Sequence, residues 1–161
     1  MASGGAAAEI IALLTARQQS IAVAESLTGG LLAASLTDVP GASAVFRGGV
    51  VAYATELKAV LLGVDRGVLD AHGAVSAEVA AAMAEGVRTR LGAAIGAATT
   101  GVAGPDPAEG KPAGTVYIAA SAGDQTRTRR LALSGSRAAI RAATVREALG
   151  LVLVIAREES R

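Results

Sequence analysis

The sequence holds no cysteine and one histidine, His72. That excludes disulfides, thiolate metal sites, a cysteine nucleophile and any multi-histidine metal centre. Aromatic residues are almost as scarce: Phe46, Tyr53 and Tyr117 are all there are. With so few rings, base stacking on single-stranded nucleic acid has no platform. No stretch of ~18–20 apolar residues runs free of charges and helix breakers, and MASGGAAAE has neither a basic n-region nor a cleavage pattern. The expectation is a soluble, cytoplasmic protein that engages neither membrane nor nucleic acid.

Lysine is nearly absent too. Of fifteen basic residues only Lys58 and Lys111 are lysine, the rest arginine. Arginine stays charged, whereas a desolvated lysine can lose its proton. A lysine kept in an arginine-using chain is therefore a candidate for neutral-amine chemistry. The net charge is +1, but residues 121–161 carry eight arginines against four acids. That excess either faces an anionic ligand or forms a solvated helix face with glutamate partners.

A chain of 161 residues is expected to form one domain, residues 1–161. Helical spacing covers residues 5–18, and Ile21–Ala24 reads as a short buried strand. Ser26 or Thr28 can cap a second helix from about Gly30 to Thr37. Ser43–Tyr53 reads as a strand interrupted by two glycines. Thr55, Asp65 and Ser76 open three further helices, Ala93–Thr100 is a strand of small residues, and residues 101–114 form a long Gly/Pro loop. Two strands joined at Gly123-Asp124 and a final helix from Ser136 complete the chain. Early strand–helix alternation with a late hairpin predicts a three-layer α/β/α fold. Its sheet is mixed, mostly parallel, with about five strands.

Four stretches can carry chemistry. Glu25-Ser26-Leu27-Thr28-Gly29-Gly30 leaves a strand, where α/β ligands gather, with a hydroxyl at the turn and bare backbone behind it; the alternative is a Ser/Thr helix cap. Tyr53-Ala54-Thr55-Glu56-Leu57-Lys58 offers a lysine that can serve as base to a serine if burial lowers its pKa; the alternative is an ordinary solvated lysine. Thr99–Pro105 is a loop whose backbone can wrap a ligand, or simply a buried strand exit. Ser136-Arg137 at a helix start, with Arg141 one turn on, is a physically sound phosphate site, or a solvated face.

In chain order, ES-x-TGG, Y-x-x-E-x-K, TG-x-AGP and KP-x-GTVY resemble the CinA C-terminal domain family over nearly the whole chain, from about residue 8 to 155. Enzymatic members of that family are nicotinamide mononucleotide (NMN) deamidases. The resemblance implies a metal-independent, cofactor-free serine amidohydrolase that converts NMN to nicotinic acid mononucleotide and ammonia in pyridine nucleotide salvage. It implies Ser26 as nucleophile and Lys58 as base, with Tyr53 beside them. Thr28, Gly29 and Gly30 are the expected oxyanion donors. Ser43, Thr55, Thr100, Gly101 and Gly104 are expected against substrate, and Ser136, Arg137 and Arg141 on the 5′-phosphate. A homo-oligomer, dimer or larger, is expected as well. The sequence departs from the family pattern at Thr55, often Asn, at Ser136, usually Asp or Asn, and at Gly41-Ala42-Ser43, usually Gly-Ser-Ser. The Thr55 and Ser136 departures leave a rival open: a CinA-like domain that binds a nucleotide or a partner without turnover.

Overall fold

The computed structural model of the chain describes residues 2–159. In chain order its elements are α1 (Ala2–Arg17), β1 (Ile21–Glu25), α2 (Leu31–Thr37), β2 (Phe46–Val51), α3 (Thr55–Leu62), α4 (Arg66–His72), α5 (Ala77–Arg90), β3 (Ile95–Gly101), β4 (Thr115–Ala122), β5 (Gln125–Ala132) and α6 (Arg137–Glu158). The five strands form one sheet in the order β2-β1-β3-β4-β5. β1 pairs parallel with β2 and β3, whereas β3–β4 and β4–β5 are antiparallel. Four of the five strands thus point one way, and β4 alone runs against them.

Alternation along the strands assigns the layers. Ile21 and Val23 of β1 face the cluster built with α1, α2 and α6, while Ala22 and Ala24 face the cluster built with α5. The small residues on the second face let α5 come very close. A Cβ at Gly96 would lie 2.1 Å from the carbonyl oxygen of Ala84, so only glycine fits there. α3 and α4 complete that layer.

β1 leads through α2, on one face, to β2. β2 leads through α3, α4 and α5, on the other face, to β3, back across β1. The carboxyl ends of β1 and β3 are therefore neighbours at the point where the strand order reverses, the chain leaving β1 for β2 on one side and β3 for antiparallel β4 on the other. Such a switch point is where open α/β sheets bind ligands.

Some local expectations give way. Residues 42–44 form a 3-10 turn, and β2 starts only at Phe46. The irregularity in β2 falls at its start, where Ile21 pairs with Phe46 but Ala22 pairs with Gly48. α2 is capped by neither Ser26 nor Thr28; Gly30 is its N-cap and offers no side chain. Part of the arginine-rich C-terminal quarter is a solvated face with glutamate partners: Arg127 pairs with Glu158 at 2.6 Å and Arg129 with Glu147 at 3.7 Å. No helix among the described residues is long and apolar enough to cross a membrane.

Candidate active site

Glu25 ends β1 with its carboxylate buried, and the reason is α2. Lacking a side-chain cap, α2 leaves its first amides open. Glu25 fills them from below, accepting from Leu32 N–H at 2.8 Å and Ala33 N–H at 3.1 Å. A carboxylate on a helix N-terminus also meets the positive end of the helix dipole. Between strand and helix the chain must turn sharply. Gly29 and Gly30 do so at φ 55° and 109°, left-handed values that suit glycine. Ser26 is the residue at the top of that turn.

The backbone of Ser26 is held firmly. Its amide donates to Thr99 O at 3.0 Å, continuing the β1–β3 ladder, and Thr28 Oγ1 lies 2.8 Å from Thr99 Oγ1 beneath it. Ser26 itself is only 8% exposed.

Lys58 comes from the first turn of α3, and helix side chains lean toward the N-terminus. It is 1% exposed, and its Nζ lies 3.0 Å from Ser26 Oγ. It donates to Ala52 O at 2.7 Å and Tyr53 O at 3.4 Å. A neutral amine has two N–H groups and one lone pair. With both N–H groups given to carbonyls, the lone pair is left for the serine hydroxyl. Burial lowers the Lys58 pKa from its ordinary 10.5 to about 8; Glu109 and then Glu56 pull the other way without overcoming desolvation.

Ser26 and Lys58 open into a cavity of about 430 Å³ at the β1/β3 switch point. Of the residues expected from the sequence, Tyr53, Thr55, Thr100, Gly101, Gly104 and Arg137 also line it. Arg137 spans the mouth, donating to Gly104 O at 2.6 Å and to Tyr53 Oη at 3.2 Å. Those bonds use two of its five N–H groups. Thr100 lines the wall with its hydroxyl already given to Ala74 O at 2.7 Å.

Other expected residues lie outside the cavity. Thr28 is fully buried below the turn, and the Gly29 amide is spent on Ser26 O at 3.1 Å. Gly30 serves as the cap of α2. Ser43 sits in the exposed 3-10 turn and faces a separate hollow beside Pro40 and Phe46. Ser136 is the N-cap of α6, accepting from Ala139 N–H at 3.1 Å. Arg141 reaches the carbonyls of Leu27 and Thr28 instead of the cavity.

Better-placed amides are those of Leu27, Ala103 and Gly104. All three residues line the cavity, and among the described residues these amides find no protein acceptor. A buried N–H without a partner is costly, which favours a ligand oxygen there. The peptide between Ser26 and Leu27 has its carbonyl turned to Gly29. Because that peptide is trans and planar, the Leu27 N–H points the opposite way.

Residues 106–111 belong to the long Gly/Pro loop expected from the sequence. In the fold they close one wall of the cavity. Ala108 and Lys111 bridge to each other, and Glu109 accepts from the amides of Ala74 and Val75, both at 3.0 Å. Lys111 donates to Val75 O. Glu25 and Thr99 also have roles that sequence reasoning did not assign. The signal for Glu25 was present: a carboxylate ending an apolar strand just before a helix whose own cap is glycine. Among the described residues, no three His, Asp or Glu side chains converge as metal ligands.

The fold is an open α/β sheet, and at its switch point a serine hydroxyl set against a buried amine is an arrangement that can support nucleophilic attack on an acyl carbon. The chain belongs to the CinA C-terminal domain family, which matches residues 4–155. It is 61% identical over 143 residues to a CinA-like protein of Frankia casuarinae, covering 89% of this chain and 33% of that one. The chain thus spans about a third of the length of the curated relatives it matches. Among solved structures it is similar to the competence/damage inducible protein CihA of Agrobacterium tumefaciens, with TM-score 0.93, 36% identity and 96% coverage of each chain. A CinA superfamily protein of Escherichia coli gives TM-score 0.92 at 33% identity, covering 95% of this chain and 90% of that one.

Proposed function

We propose that this cavity hydrolyses the carboxamide of NMN, giving nicotinic acid mononucleotide and ammonia, by a Ser26/Lys58 pair. The observation that carries the reading is the buried Lys58 amine, 3.0 Å from Ser26 Oγ and held by two carbonyls. A lysine is costly to bury, and a merely structural one would be expected to carry a carboxylate partner.

Lys58 takes the proton of Ser26 as Oγ attacks the carboxamide carbon. The oxygen of that carbon becomes an oxyanion, facing the amides of Leu27, Ala103 and Gly104. As the C–N bond breaks, the Lys58 ammonium returns its proton to the departing nitrogen, which leaves as ammonia. Water then gives a proton to Lys58 while its oxygen attacks the acyl ester. The acid nucleotide departs, and Ser26 recovers its proton from Lys58. Arg137, with N–H groups to spare at the mouth, meets the 5′-phosphate. Tyr53, 59% exposed and bonded to Arg137, packs against ribose or ring.

The departure at Ser136 does not favour the binding-only rival. Its hydroxyl caps α6 as Asp or Asn would, and it stands outside the cavity. The reading implies a role in pyridine nucleotide salvage.

The test is ammonia release from NMN, with chelator present, by the wild type and by Ser26→Ala. Wild-type release lost in the variant is the expected result. NMN that binds without release would make the domain a nucleotide sensor. Arg137→Ala should raise the KM for NMN by about tenfold or more, a loss fitting a charge-assisted phosphate contact. The same change should leave nicotinamide riboside, which lacks the phosphate, nearly unaffected.

A further inference from the structure

Arg141 lies one helical turn beyond Arg137 on α6, and its guanidinium enters the turn that follows Ser26. Nε donates to Leu27 O at 2.9 Å and Nη2 to Thr28 O at 3.2 Å. A Cβ on Gly29 would lie 3.3 Å from Nη2, so glycine leaves room for the fork. Among the described residues Arg141 meets no carboxylate.

Three successive carbonyls are thereby tied down. Ser26 O accepts from Gly29 N–H, Leu27 O from Arg141, and Thr28 O from both Leu31 N–H and Arg141. The Leu27 amide, left over by this arrangement, is free to face the cavity. A planar fork can hold two adjacent carbonyls at once, which a lysine ammonium on a flexible stem does poorly.

We infer that Arg141 is a positioning residue for the reaction: it fixes the Ser26–Thr28 turn so that Ser26 Oγ stays against Lys58 and the Leu27 amide is aimed at the oxyanion. This rests on the Ser/Lys hydrolysis reading and departs from the expectation that Arg141 binds phosphate. It acts through backbone and touches no reacting atom.

The test uses the full chain as wild type, Arg141→Ala and Arg141→Lys. Steady-state kinetics on NMN are read beside the rate at which a fluorophosphonate labels Ser26, followed by mass spectrometry. Misplacing a nucleophile and one oxyanion donor is expected to lower kcat about 10²-fold in Arg141→Ala and about tenfold in Arg141→Lys. KM should stay within about threefold, because ground-state binding is untouched. Ser26 labelling should slow in parallel, and added guanidinium ion should restore part of the Arg141→Ala rate. If Arg141→Ala does not fold, Arg141→Lys decides. A higher KM at unchanged kcat would assign Arg141 to the phosphate and overturn the inference, as would wild-type labelling rates in a folded variant. A wild type that neither labels nor releases ammonia would overturn the hydrolysis reading itself, an outcome separate from either of these.

Discussion

At the scale of single residues, the proposed reaction needs one lysine in its neutral form. Below a pKa of about 8 the Lys58 amine is protonated and cannot accept the serine proton. kcat/KM for NMN should therefore rise about tenfold per pH unit below that value and level off above it. Glu109 is the larger of the two acidic influences on Lys58, raising its pKa against the effect of burial. Glu109→Gln should move the midpoint of the pH–rate profile downward, whereas a midpoint that stays or rises would show that its charge is not felt. The same burial affects stability. Lys58 has a folded pKa below its unfolded value, so its stability contribution is present above pH 10.5 and is lost as pH falls through about 8. At pH 7 the folded state bears that penalty in full. Lys58→Met should abolish activity while stabilising the fold at pH 7 by roughly 1–3 kcal/mol, less whatever the unpaired Ala52 carbonyl costs. A thermal melt of both proteins checks the sign.

At the scale of elements, a strand end and a helix start are locked by one carboxylate. Glu25→Ala would leave two amides of α2 open in a buried place and should destabilise by about 1–3 kcal/mol. Glu25→Gln, which keeps one oxygen acceptor, should lose less; urea unfolding of the three proteins measures it. Most elements here were legible because their punctuation is local. Asp65 and Ser76 do cap helices, and Gly123-Asp124 does turn a hairpin. The cap of α2 was misread because its acceptor is not local: Glu25 stands seven residues before Leu32. The Leu27, Ala103 and Gly104 amides were missed for a related reason. Which backbone groups stay unpaired depends on where their neighbours' bonds go, and that is decided by the turn and the sheet.

At the scale of the whole molecule, the fold brings together residues that the chain keeps apart. Ser26 follows β1, Lys58 follows β2, the Ala103–Gly104 amides follow β3, and Arg137 opens α6. The sequence motifs named all four places, giving Gly104 as a substrate contact without singling out the Ala103 and Gly104 amides. They could not separate Arg137, which faces the cavity, from Ser136 and Arg141 beside it, which do not, because that depends on the rotation of α6 over the sheet. Close packing sustains the arrangement. Gly86→Ala would drive a Cβ to within 2.0 Å of Leu62 O, pushing α5 away from α3. This substitution should lower Tm and activity together, since Lys58 stands on α3.

The central claim is that Ser26 and Lys58 work as one device. A double-mutant cycle of ammonia release from NMN tests it, with wild type, Ser26→Ala, Lys58→Ala and the double variant. Groups that act as a unit lose their effect together. Each single variant should lose about 10³-fold or more in kcat, and the double variant should fall no further. Losses that multiply in the double variant would mean the two residues act separately, and would contradict the account.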